Sequence, residues 1–205
     1  DPQSVLTHLL GAGEDAEAAR QSVLAAARAD ENLAFDRAAD FYRTALSLGG
    51  PAGFEADELR RLRRRLGDAL ANAGRGQDAA EVYAAAAESA QAAEQIELRR
   101  LVADQLLRSG RVTEGVRATQ RLLEAVGITW PRTPFRALLA ILWNMLLVVF
   151  ARFRFERRGL RDSSQITPEE LSRIDVCWSV NLGLSFADPV RSIAYIVAVW
   201  AVGLH

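Results

Sequence analysis

Apolar positions recur at helical spacing through most of the chain. Between Leu66 and Ala86, the residues Leu66, Gly67 and Leu70 fall on one helical face, Gly74 interrupts the pattern, and Ala79, Tyr83 and Ala86 resume it. The spacing predicts two antiparallel helices. Small residues are expected where the backbones approach, with Gly67 opposite Ala79, and the larger Tyr83 is expected to fill the gap between successive hairpins. Gly74 is expected to adopt positive φ and end the first helix.

The spacing then repeats. A shift of 36 residues sets Leu106 on Leu70, Gly110 on Gly74, Gly115 on Ala79 and Leu122 on Ala86, with Thr119 in the place of Tyr83. A shift of 41 residues in the other direction sets Ala38 on Ala79, Tyr42 on Tyr83 and Ala45 on Ala86. The extra length falls in Gly49, Gly50, Pro51, Ala52 and Gly53, a loop composition. Three hairpins over residues 14–126 follow, and the expected fold class is all-α, an α-solenoid of antiparallel helical hairpins.

The run RLGDALANAGRGQDAAEVYAAAAE resembles a tetratricopeptide repeat. The runs HLLGAGEDAEAAR, LAFDRAADFYRTALSL, QLLRSGR, VGITWPRTP and LSRIDVCWSVNLGLSFADPVR together resemble the C-terminal helical region of large bacterial serine/threonine protein kinases. In that architecture a kinase domain and an AAA-type ATPase module precede the repeats. The resemblance implies a signalling protein whose repeats form a regulatory, protein-binding part, with the parent domains outside this sequence. The chain starts at Asp1 and stops after the apolar run from Ile193 to Leu204, where a solenoid ordinarily carries a polar cap, so it is expected to be a fragment.

Beyond the repeats the pattern changes. Residues 127–135 hold Pro131 and Pro134 and read as a joint, and residues 136–205 read as an apolar helix followed by a further, truncated hairpin. From Ala137 to Ala151 only Asn144 is polar, and Arg136 and Arg152 stand at the ends. Three readings remain open: a helix buried all round, an interfacial helix with arginine anchors, and a short membrane span, for which roughly 20 apolar residues are needed. Thr167, Pro168 and Glu170 form a helix start with a capping box, for a helix expected to reach Phe186. Asp188 and Pro189 repeat the signal ahead of Val190 to Leu204.

Charge and chemistry narrow the function. All 25 basic residues are arginine, and 26 acidic residues bring the net charge to −1, so no global positive field for nucleic acid exists. The dense cluster Arg60, Arg61, Arg63, Arg64 and Arg65 is flanked by Glu55, Asp57, Glu58 and Asp68 at spacings suited to helical ion pairs, which predicts a solvated face. Without lysine there is no P-loop, and no kinase signature occurs. His8 and His205 lie near opposite ends, with no nucleophile or metal-ligand spacing. Gly11, Ala12 and Gly13 imitate a dinucleotide-binding turn, but Glu14 and Asp15 would set two negative charges where phosphate must bind. The lone Cys177 suits a small core position and a reducing cytosol. The expectation is therefore a non-catalytic cytoplasmic scaffold with no catalytic residue, cofactor or metal. Its partner would be a protein, a peptide or another domain of the parent, held on the inner helices of the hairpins. Membrane contact through 137–151 is the alternative.

Overall fold

A computed structural model of the chain describes residues 2–127 and, beyond them, residues 133, 135, 138, 139, 141–143, 145, 146, 167, 175–178, 181, 185, 192 and 193. The chain is all-α, and no strand occurs among the described residues. The helices are α1 (Pro2–Gly11), α2 (Asp15–Glu31), α3 (Phe35–Gly49), α4 (Ala56–Asn72), α5 (Gly76–Ala87), α6 (Ala92–Arg108) and α7 (Val112–Ala125). Two compact units divide the chain, residues 1–109 with α1 to α6 and residues 110–205 with α7.

In the first unit each helix packs mainly on its neighbours in sequence, the pattern of a helical repeat. Alanine-rich stretches favour helix, and acidic residues sit in the first turns of α2 (Asp15, Glu17) and α4 (Asp57, Glu58), where the macrodipole is positive. The buried stripe of α4 is Leu62, Leu66, Gly67, Ala69 and Leu70, at three- and four-residue spacing. Ala38, Tyr42 and Ala45 of α3 and Ala79, Tyr83 and Ala86 of α5 are likewise buried. Leu106 is half-buried, whereas Gly74 and Gly110 are exposed turn residues.

One turn geometry recurs along the chain. Gly13, Leu33, Gly74 and Gly110 take φ of 75°, 56°, 77° and 80°. The residue after each, Glu14, Ala34, Arg75 or Arg111, has φ between −80° and −91° and ψ between 55° and 61°. The N–H groups of Glu14, Ala34 and Arg75 donate to the carbonyls of Leu9, Ala29 and Leu70 at 3.0, 2.9 and 2.8 Å. These are Schellman closures, which satisfy the last carbonyls of one helix while reversing the chain into the next. Leu33 stands 41 residues before Gly74, so the internal register identifies it as the one such turn built without glycine.

That exception carries a prediction. Leu33 is 73% exposed, so it contributes little packing, yet its side chain crowds the left-handed backbone. Leu33→Gly should stabilise the protein by about 0.5–1 kcal/mol, the relief of left-handed strain exceeding the added freedom of the unfolded chain. An unchanged or lower midpoint in urea denaturation would contradict this.

The interior of the second hairpin differs from the spacing argument. Gly67 was expected to face Ala79, but a β-carbon at Gly67 would collide with Cε1, Cδ1 and Cζ of Tyr83. The tyrosine ring thus occupies the space that Gly67 leaves empty within its own hairpin.

In the second unit, Gly115, Thr119, Leu122 and Leu123 are the buried face of α7. Thr119 Oγ1 donates to Gly115 O at 2.8 Å, within the helix, so this shorter residue does not repeat the tyrosine bonds described below. Val176 and Cys177 are buried, the latter as expected of a small core residue. The buried Ser192 places its Oγ 2.6 Å from Asn181 Oδ1 and 3.0 Å from Asn181 O. Pro131, Pro134, Pro168, Glu170, Phe186, Asp188, Pro189, His205 and the run 194–204 lie outside the described residues.

The apolar run requires a correction. Its described residues Leu138, Leu139, Ile141, Leu142, Trp143, Met145 and Leu146 are helical, and all but the half-buried Ile141 are exposed. The reading of a helix buried all round therefore fails for these residues. Among the described residues no helix is long and apolar enough to cross a membrane.

Candidate interaction surface

The repeat register can be applied to polar positions as well as apolar ones. On α4, Arg61, Arg65, Asp68 and Asn72 are exposed and follow one another at four-, three- and four-residue spacing, which forms a single stripe. The equivalent positions on α2, 41 residues earlier, are Arg20, Leu24, Ala27 and Glu31. Those on α6, 36 residues later, are Glu97, Leu101, Asp104 and Arg108. Matched positions on α2, α4 and α6 thus carry cations, anions and two leucines; Arg20, Leu24 and Glu31 are exposed on α2 and Arg108 on α6, while Glu97, Leu101 and Asp104 are half-buried.

One buried tyrosine bonds to this stripe, and its repeat equivalent bonds beside it on α2. Tyr83 Oη donates to Asp68 Oδ1 at 2.6 Å, and Tyr42 Oη donates to Asp30 Oδ2 at 2.9 Å. The acceptor differs because Asp30 lies three residues beyond the place equivalent to Asp68, and Ala26 stands where Gly67 does. Burial pushes the Tyr42 hydroxyl up to about 12, the Asp30 carboxylate adds to the rise, and the Arg65 guanidinium opposes it. Burial, then Asp68, raises the Tyr83 hydroxyl as well. Both hydroxyls are therefore hydrogen-bond donors near neutral pH rather than bases.

Within the arginine cluster, Arg60 is paired with carboxylates. Arg60 Nη1 donates to Asp57 Oδ1 at 2.8 Å and to Ser89 O at 3.2 Å, while its Nε lies 2.8 Å from Glu94 Oε2. This one side chain ties α4 to the start of α6, and its bond to Asp57 holds its protonation constant above the ordinary arginine value. Arg100 grips Glu97 with Nε and Nη2, each at 2.8 Å, and this pairing, with Arg64 nearby, keeps the Glu97 carboxyl below the usual range. Sequence spacing predicted ion pairs along the cluster, and the structure shows them at Arg60. Spacing also placed Asp68 among the arginine partners, whereas the structure gives Asp68 to Tyr83.

A polar cleft of about 270 Å³ lies at the turn between α4 and α5, lined by Asn72, Gly74, Gly76, Gln105, Arg108 and Ser109. Gly76 makes this approach possible, since a β-carbon there would sit 3.1 Å from Gln105 Oε1 and 3.2 Å from Gln105 O. The cleft offers amide, hydroxyl and guanidinium groups for hydrogen bonding to a chain passing over the stripe. It contains no nucleophile paired with a base. Among the described residues no cluster of three or more histidine, cysteine, aspartate or glutamate side chains could hold a metal ion.

Gly11, Ala12 and Gly13 close the helix α1, not a strand, so the context of a dinucleotide-binding turn is lacking there. His8 is exposed in α1. The stripe and the tyrosine bonds were missed by apolar pattern reading. The signal for the stripe was in the sequence, because the same shifts of 41 and 36 residues align Arg20, Arg61 and Glu97. No protein-family model matches the chain, and no curated protein matches it.

Proposed function

We propose that the chain is a non-catalytic helical-repeat interaction module that binds a peptide or partner segment across α2, α4 and α6. The observation that carries this reading is the register of the stripe. Arg61, Arg65, Asp68 and Asn72 occupy the same repeat positions as Arg20, Leu24, Ala27 and Glu31, and as Glu97, Leu101, Asp104 and Arg108. A face that is exposed along α4 and carries charged residues at matched positions on α2 and α6 suits a ligand that lies along several repeats. Mixed signs and the exposed Leu24 suit a segment that carries both charges and an apolar side chain.

From the resemblance to the repeat region of bacterial serine/threonine kinases we further propose that this module is the regulatory part of a kinase–ATPase signalling protein of the cytoplasm. Sequencing the gene around this segment tests that placement directly, since kinase and ATPase modules should precede it. For the module itself, peptides selected by display on the full chain should bind it in calorimetry and lose about tenfold in affinity to the Arg61→Glu/Arg65→Glu variant. Equal affinity for the variant would reject the stripe as the site. Metal-dependent ATP hydrolysis by the purified chain would reject its non-catalytic character.

A further inference from the structure

Seven of the fourteen exposed large hydrophobic side chains among the described residues lie close together in sequence, beyond the repeats. Phe135, Leu138, Leu139, Leu142, Trp143, Met145 and Leu146 are all exposed, with Leu142 at 66% and Trp143 at 63%. At 100° per residue these seven positions fall within an arc of about 160°. Ile141, the half-buried residue of the run, lies outside that arc. The described exposed residues thus share one side at helical spacing, and the half-buried Ile141 falls just beyond its edge.

We propose that this face seats in the headgroup region of an anionic lipid surface, with the helix lying in the membrane plane. Water is a poor environment for six large aliphatic or aromatic side chains and a methionine sulfur on one stripe. Charge decides which occupant covers it. Between Glu124 and Glu156 the sequence holds Arg132, Arg136, Arg152 and Arg154 and no acidic residue, a local net charge of +4 in a chain whose total is −1. A second copy docking face to face would bring two such sets of arginines together. An anionic bilayer neutralises this local charge and accepts the apolar stripe, with Trp143 at the interface that tryptophan favours. A spanning mode is disfavoured by length, since the run from Ala137 to Ala151 falls short of the roughly 20 residues needed. The proposal is independent of peptide binding by the repeats.

The test is flotation of the full chain with vesicles of phosphatidylglycerol in phosphatidylcholine, compared with phosphatidylcholine alone. The chain should float with the anionic vesicles, and added salt should weaken but not abolish this. In the Leu142→Ser/Trp143→Ser variant, partitioning should fall about tenfold or more with helical content unchanged, because both side chains are exposed. Brominated lipid should quench tryptophan fluorescence in the native chain and quench it less in Trp143→Phe. Absence of flotation with anionic vesicles at low salt overturns the proposal, and so does flotation that the double variant leaves intact. Sedimentation showing a dimer that this variant abolishes, without flotation, assigns the face to a second copy instead.

Discussion

Tyr83→Ala should lower the stability of the first unit by about 3–5 kcal/mol, the range for removing a fully buried aromatic side chain. Tyr83 is 2% exposed, its ring fills the hollow above Gly67, and its hydroxyl is bonded to Asp68. The loss combines transfer of the ring, the cavity it leaves and an aspartate without its donor. Tyr83→Phe, which keeps the ring, should cost only about 1 kcal/mol. Gly67 supplies a sharper check because its effect should change sign. In the native background Gly67→Ala forces the ring aside, which costs about 1–3 kcal/mol and outweighs the roughly 1 kcal/mol of helix propensity that alanine gains. In the Tyr83→Ala background the ring is gone, so the same substitution should stabilise by about 1 kcal/mol. Denaturant unfolding of the four proteins closes the cycle, and additive effects would mean that the ring does not occupy that space.

The protein should lose stability in alkali, as the pH rises from 10 to about 12, through ionisation of Tyr42. A tyrosine of ordinary value gives up its proton near pH 10 in the unfolded chain, while the folded chain holds it to about 12. In that window the folded state binds the extra proton, so each step upward in pH favours unfolding. The contribution is complete below the unfolded value and is lost as pH passes through the folded one. Its size is on the order of 2 kcal/mol, kept below the full two-unit equivalent because the hydroxyl and its partner Asp30 are only part-buried. Tyr83, raised in the same direction, adds to the loss. Tyrosinate absorbance should appear together with the loss of helical ellipticity. Tyr42→Phe should flatten the alkaline limb of the stability profile while leaving the neutral region nearly unchanged apart from the lost hydrogen bond. An alkaline limb as steep in Tyr42→Phe as in the native chain would assign the effect elsewhere.

Helix identity was legible because the apolar periodicity of α3, α4 and α5 is strong and glycines mark three of the four recurring turns. Leu33 shows where that signal stops. No local rule assigns positive φ to a leucine, and only the internal shift of 41 residues from Gly74 points to it. Spacing sets Gly67 opposite Ala79 and Tyr83 between successive hairpins, so the packing of the ring onto Gly67 does not follow from it. That contact depends on axial offset, which one-dimensional spacing does not contain. Of the pairs expected along the arginine cluster, helical spacing reaches Arg60 with Asp57, whereas the contact of Arg60 with Glu94 joins α4 to α6, beyond any helical spacing rule. For the apolar run, hydrophobicity alone was equally compatible with burial and exposure. Burial depends on whether neighbouring elements cover the helix, and Leu138 to Leu146 find no cover on their outward arc.

The dominance of neighbour-to-neighbour packing from α1 to α6 has a kinetic consequence. Contacts that join residues close in sequence close short loops, so little chain entropy is lost before the first stabilising contact forms. The first unit should therefore assemble rapidly, nucleating at any hairpin and spreading outward by one helix at a time. The same wiring removes the all-or-none protection of a closed core. Under mild destabilisation α1, which packs chiefly against α2, detaches before the centre yields, and hydrogen exchange should run fastest there and slowest around Leu70 and Tyr83.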